Sequence, residues 1–149
     1  MTARSGVVAA IVLLAGIGLA GCKSSSATEA EPDRAATVTE VSGQPGIHRV
    51  ELTADGAERI GLQTATVRSS AAAGQPVLSV PLSAVLYDQH GATWVFVSTG
   101  KLAFQRARVS IRTVVGDQAL LASGPAAGST VATLGAAELL GAEDGVPGE

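Results

Sequence analysis

The chain has 149 residues, of which 46% are hydrophobic and only 3% aromatic, with 18 glycines and 10 basic against 13 acidic side chains, a formal net charge of -3. That size allows one small domain, and the acidic balance excludes a nucleic-acid binder, which needs surplus Lys and Arg to displace counterions from phosphates. A single cysteine excludes an intrachain disulfide framework and any zinc site built from several thiolates.

At the N-terminus, Arg4 precedes an uncharged apolar stretch, Gly6 to Ala20, that ends in Leu19-Ala20-Gly21-Cys22. A basic start, a short greasy centre and small residues at the cut have the layout of a secretory signal. A membrane-spanning helix needs about 20 apolar residues to cross roughly 30 Å of hydrocarbon. This stretch is shorter and contains Gly6, Gly16 and Gly18, so permanent spanning is the weaker reading. Leu-Ala-Gly-Cys resembles the bacterial lipobox. That resemblance implies a signal peptide over residues 1–21 and an acylated Cys22 as the first mature residue. Each buried methylene contributes about 0.8 kcal/mol, and two or three acyl chains hold a protein firmly where one does not. The expected product is exported and lipid-anchored on the extracytoplasmic, periplasmic side of a membrane.

Residues 22–46 are rich in Ser, Thr, Ala, Glu and Pro, with few large apolar side chains, which is a linker composition. Residues 142–149 (AEDGVPGE) read as a frayed acidic tail. The folded part is expected over residues 47–141. Ile47 to Leu52 alternates apolar and polar and predicts a strand. Thr53 is placed to cap a short helix through Ile60, with Gly61 tolerating the left-handed position after its end. Leu62 to Val67 alternates again, and Arg68 to Pro76 reads as a loop. Val77 to Val80 and Ala84 to Tyr87 predict strands interrupted by Pro81, which suits an edge or kink.

Asp88-Gln89-His90-Gly91 predicts a turn into Thr93 to Ser98, whose two faces are both apolar and mark a central strand. Thr99-Gly100-Lys101 turns into Leu102 to Val115, with Ala107, Val109 and Ile111 on one face and Arg106, Arg108 and Arg112 on the other. Gly116-Asp117 leads to Gln118 to Ala122. The bend Gly124 to Gly128 leads to Ser129 to Leu134, and Gly135 to Leu140 closes as a short apolar segment. Many short strands between glycine turns predict a mainly β fold, a small antiparallel domain with one short helix.

Val80-Pro81-Leu82-Ser83-Ala84-Val85, Trp94-Val95-Phe96-Val97, Arg108-Val109, Gly116, then Gly124 through Val131 and Gly135-Ala136 with Leu139 form an ordered series. It resembles the C-terminal portion of periplasmic adaptor subunits of resistance-nodulation-division efflux pumps, the membrane fusion proteins. Residues 77 to 140 carry that resemblance, and Val50 to Thr53 with Ile60 to Val67 resemble the first strand and short helix of its heavy-metal branch. Pro125 and Ser129 stand where the family usually has Leu and an acid. A complete adaptor also has a helical hairpin and a lipoyl-like domain between these two parts, where this chain has only Arg68 to Pro76. The resemblance therefore implies the membrane-proximal, β-barrel-like module alone. It implies a non-enzymatic accessory subunit of efflux transport that docks on an inner-membrane transporter, of the resistance-nodulation-division type rather than an ATP-driven one. Self-assembly is left open. The alternative is an extracytoplasmic lipoprotein whose β body binds a small ligand or the cell wall.

His48 and His90 have no neighbouring nucleophilic cysteine or Gly-x-Ser-x-Gly elbow to work with, so both read as surface residues. Soft metals need several thioether, thiolate or imidazole donors. With Met1 lost and Cys22 acylated, no metal site and no cofactor are assigned. Glu29, Glu31 and Asp33 in the linker and Glu143, Asp144 and Glu149 in the tail read as solvated. Trp94 and Phe96 read as core. Arg106, Arg108 and Arg112 form a row of guanidinium groups able to pair with carboxylates, and are the candidate partner interface.

Overall fold

The structure, a computed structural model, describes residues 34–72 and 75–145. Cys22, the leader, Glu29, Glu31, Asp33 and the tail beyond residue 145 lie outside the described residues. Among the described residues the chain forms β1 (Ala36–Glu40), β2 (His48–Leu52), α1 (Ala54–Arg59), β3 (Gln63–Thr66), β4 (Arg68–Ala72) and β5 (Gln75–Pro81). A 3-10 turn (Leu82–Ala84) follows, then β6 (Leu86–Tyr87), β7 (Thr93–Gly100), β8 (Ala103–Val115), β9 (Gln118–Ser123), β10 (Thr130–Leu134) and α2 (Ala136–Glu143). The fold is mainly antiparallel β, as the glycine-punctuated alternation predicts.

The sheet runs β3-β10-β7-β8-β9-β5-β4, with β2 pairing β8, β1 pairing β2 and β6 pairing β7. Its two terminal strands, β3 and β4, are separated in sequence by Val67 alone. A single residue cannot span an open sheet, so the two edges are drawn together and the sheet curls toward a barrel. Val67 is the closure point: its amide donates to Ser129 O at 2.8 Å, and its carbonyl accepts from Gly128 N at 2.9 Å. Its side chain is 1% exposed.

Inside the curl, Val67, Val80, Val95, Val109, Ala119, Leu121 and Val131 form one core. On the opposite face, Val50, Phe96, Phe104, Ala132, Ala136 and Leu139 form a second, covered by α2. β7 serves both, with Val95 turned to the first and Phe96 to the second. This double burial is what the two apolar faces of Thr93 to Ser98 predict, and β7 is central, flanked by β8 on one side and by β10 and β6 on the other. Fully burying a side chain such as Phe96 or Leu139 contributes about 2 to 3 kcal/mol.

The short helix α1 starts where the sequence places it. Thr53 Oγ1 accepts from Gly56 N at 3.0 Å, and Gly61 has φ +59°. Gly56 is buried because the backbone of Ala35 packs on it, and a Cβ there would collide with the Ala35 carbonyl oxygen. That carbonyl also accepts from Thr53 N at 3.0 Å. The start of the described chain is thus bound to α1 through backbone atoms.

Four segments differ from the sequence expectation. The range 22–46, read as linker, contains β1, which pairs with β2 along its whole length from Ala36↔Leu52 to Glu40↔His48. Its side chains from Thr37 to Glu40 are exposed and only Ala36 packs against the second core, so the strand is held mainly by its ladder. Arg68 to Pro76, read as a loop, holds β4 and the start of β5, an antiparallel pair from Arg68↔Ser79 to Ala72↔Gln75; small and polar side chains hid it. Leu82–Ala84 is a 3-10 turn, so the strand expected from Ala84 shrinks to Leu86–Tyr87. Gly135 to Leu140, read as a short apolar closing segment, is the N-cap and first part of α2, a second helix where one was expected, which runs on to Glu143 and into the range read as a solvated tail.

Candidate functional site

The described residues with unusual polar geometry lie at the rim of the second core. Register fixes this placement: Ser98↔Phe104, Phe96↔Arg106 and Trp94↔Arg108 are cross-strand pairs of β7 and β8, and Val50↔Phe104 continues the row into β2. Side chains that face each other across a ladder share one side of the sheet. The same face therefore passes from apolar (Val50, Phe96, Phe104) to charged and aromatic (Arg106, Arg108, Trp94).

Glu143, the last residue of α2, reaches this rim with its side chain fully withdrawn from solvent. Its Oε1 accepts from His48 N at 2.9 Å and lies 3.2 Å from Arg106 Nε and 3.6 Å from His48 Nδ1. The Arg106 contact is an ion pair without an aligned hydrogen bond, and Glu143 Oε2 is buried without a partner among the described residues. A carboxylate at a helix C-terminus also meets the negative end of the macrodipole. Arg106 is what makes the burial tolerable, because an uncompensated buried charge costs several kcal/mol. Arg106 is further tied to the β1–β2 loop, donating from its guanidinium to Gly46 O.

The guanidinium of Arg106 also sits 4.9 Å from the centroid of the Trp94 ring, and that of Arg108 sits 5.7 Å from it. Guanidinium groups at such distances are attracted by the ring quadrupole. The indole is aimed by Asp88: Trp94 Nε1 donates to Asp88 Oδ2 at 3.0 Å, while Oδ1 accepts from His90 N at 2.8 Å and Ala92 N at 2.9 Å. The hydrogen bond from Trp94 holds the Asp88 carboxyl below its ordinary value of 3.8; desolvation opposes it, and the amides of Ala92 and His90 and the nearby His90 ring add to the lowering. One aspartate thus shapes the β6–β7 turn and fixes the ring on which the arginines lie.

The candidate interface residues separate. Arg106 is occupied inside the molecule by Glu143, Gly46 and Trp94. Arg108 is exposed on the Trp94 ring. Arg112 is exposed but belongs to a different stretch of β8, where the register with β9 passes from Ile111↔Leu121 to Thr113↔Leu120 and steps over it. The bulge breaks the row of three that strict alternation predicts. His48 is not a free surface histidine, since it lies against Glu143, whereas His90 is exposed in its turn. Trp94 is half-buried at the rim, while Phe96 is core. Cys22 lies outside the described residues.

Sequence reasoning missed Glu143 and Asp88. Ala136, Leu139, Leu140 and Glu143 continue one helical 3-4 spacing, which was the available signal for Glu143. Asp88 opens the turn ahead of Trp94, a position where Asp caps its own backbone.

Beside Arg108 an open groove of about 380 Å³ is lined by Tyr87, Thr93, Arg108, Val109, Ser110 and Ile111 among others. Tyr87 is 62% exposed. Among the described residues no helix is long and apolar enough to cross a membrane.

No family model matches the chain, and no curated protein matches it. Among solved structures the chain is similar to an NMR structure of a 180-residue part of SilB from Cupriavidus metallidurans CH34, encompassing the N-terminal metal-binding site and the membrane proximal domain. The match has 26% identity and a TM-score of 0.43, and covers 56% of this chain and 49% of that one. The chain thus spans about half the length of that structure.

Proposed function

We propose that the protein is a lipid-anchored, exported accessory of an efflux transporter, tethered through Cys22 and docking its β body on the extracytoplasmic side of an inner-membrane pump without catalysis. One observation carries this reading: Leu19-Ala20-Gly21-Cys22 closes an apolar leader upstream of a chain whose sequence motifs resemble, in their order, those of efflux-adaptor membrane-proximal modules. The proline-bearing β5, the Val-Phe-Val strand β7, the arginine-bearing β8, and the Gly-rich bend into β10 come in that sequence. Contact and positioning are the mechanism. Confinement by an acyl anchor raises the effective concentration of the body toward a membrane-bound partner, so a weak interface suffices.

The test is purification of the tagged chain from membranes, beside Cys22→Ser. Labelled palmitate on the wild type alone, with a pump subunit recovered in an anchor-dependent way, supports the reading. Failure of Cys22 to take up lipid, or recovery of no transporter, removes it.

A further inference from the structure

The two edges of β8 are used unequally. The edge toward β7 is paired from Ala103 to Val109 and stops at Thr93↔Val109. The opposite edge is taken by β2 at Ala103–Gln105 and by β9 from Ser110 to Val115. Among the described residues, therefore, the β7-side edge of β8 has no strand beside it from Ser110 to Val115. The groove lined by Tyr87, Arg108, Ser110 and Ile111 opens where the pairing stops.

An unpaired strand edge is a template for a further strand, and native proteins blunt such edges unless they use them. Here the open segment is rich in β-branched residues, and Val114 and Val115 are 44% and 61% exposed. Arg108 and Arg112, both exposed, border it, and among the described residues neither is ion-paired. Charge selects the occupant. A second copy adding antiparallel about a two-fold axis would bring the two Arg112 residues toward each other, which like charges oppose, whereas carboxylates would neutralise both arginines.

We propose that this edge receives an extended, acidic segment of a partner protein. It adds to β8 beside Ser110–Val115, places carboxylates on Arg108 and Arg112, and lays an apolar side chain against Tyr87. Main-chain hydrogen bonds supply affinity and the alternate side chains supply selectivity. This deepens the docking reading above by naming its surface, and rests on it.

The test uses the full chain in detergent micelles and a fluorescein-labelled peptide of alternating Glu and Val, read by anisotropy. Comparison peptides replace Glu with Lys, or carry N-methyl groups on alternate backbone amides. The Glu peptide is expected to bind, to weaken with added salt, and to lose about tenfold in affinity with each of Arg108→Glu and Arg112→Glu. The Lys and N-methylated peptides are expected not to bind. Circular dichroism confirms that both variants fold. Absence of binding, equal binding of the Lys or N-methylated peptide, or indifference to both reversals overturns the assignment. Crosslinking in cells separates the two claims. If the peptide fails while the chain still crosslinks to a transporter, only the edge assignment falls. If the peptide behaves as expected but no transporter is crosslinked, the edge assignment stands and the docking reading falls.

Discussion

The Glu143 carboxylate lies 3.2 Å from Arg106 Nε, with the Glu143 side chain wholly buried and that of Arg106 only 17% exposed. The pair fastens the end of α2 to the middle of β8, and the same guanidinium lies over Trp94. Removing one member alone leaves a buried charge uncompensated.

Arg106→Leu is therefore expected to destabilise the protein by about 3 kcal/mol, whereas Arg106→Leu with Glu143→Leu loses much less than the two single changes together. Urea unfolding followed by the fluorescence of Trp94, the only tryptophan, measures both. Additive losses would show that the pair is not coupled.

Asp88 gives the protein an acid-sensitive turn. Because its folded-state carboxyl is held below the ordinary 3.8, chiefly by the Trp94 indole, its contribution is complete above that value and disappears as pH falls through the lowered one. Asp88→Asn should remove this part of the acid transition and shift Trp94 emission at neutral pH. Identical acid titrations of wild type and variant would contradict the assignment.

The closeness of Ala35 to Gly56 predicts that Gly56→Ala forces β1 away from α1, since the Ala35 carbonyl has nowhere to retreat while it accepts from Thr53 N. A loss of about 1 to 3 kcal/mol is expected, with faster hydrogen exchange in Ala36–Glu40. A neutral effect would mean that β1 is not anchored there.

Leu139 is the fully buried residue that α2 contributes to the second core. Leu139→Ala should cost about 2 to 5 kcal/mol. The exposed Leu134→Ala serves as a near-neutral control in the same denaturation series.

What was legible in the sequence follows where the signal was local or periodic. Thr53 with Gly61 announced α1, the two apolar faces of Thr93 to Ser98 announced the central strand, and the alternation of Ala107 and Val109 with Arg106 and Arg108 gave the faces of β8. What was not legible depended on tertiary pairing. β1 and β4 carry few apolar side chains and exist because β2 and β5 offer them a ladder. Glu143 looked solvated because an acid in a Gly-rich terminal run has no partner in sequence; Arg106, far away in the chain, is brought to it only by the fold. Arg112 left the row because a bulge, invisible to strict alternation, shifts the register of β8.

The most direct measurement is photo-crosslinking in living cells from single sites on the β body: Arg108, Arg112, Tyr87 and Val115, all exposed. Adducts to an integral membrane transporter are expected from at least one site, lost when Cys22→Ser releases the chain from the membrane. Adducts only to soluble proteins or cell-wall material, or the same transporter adducts without the anchor, would contradict it.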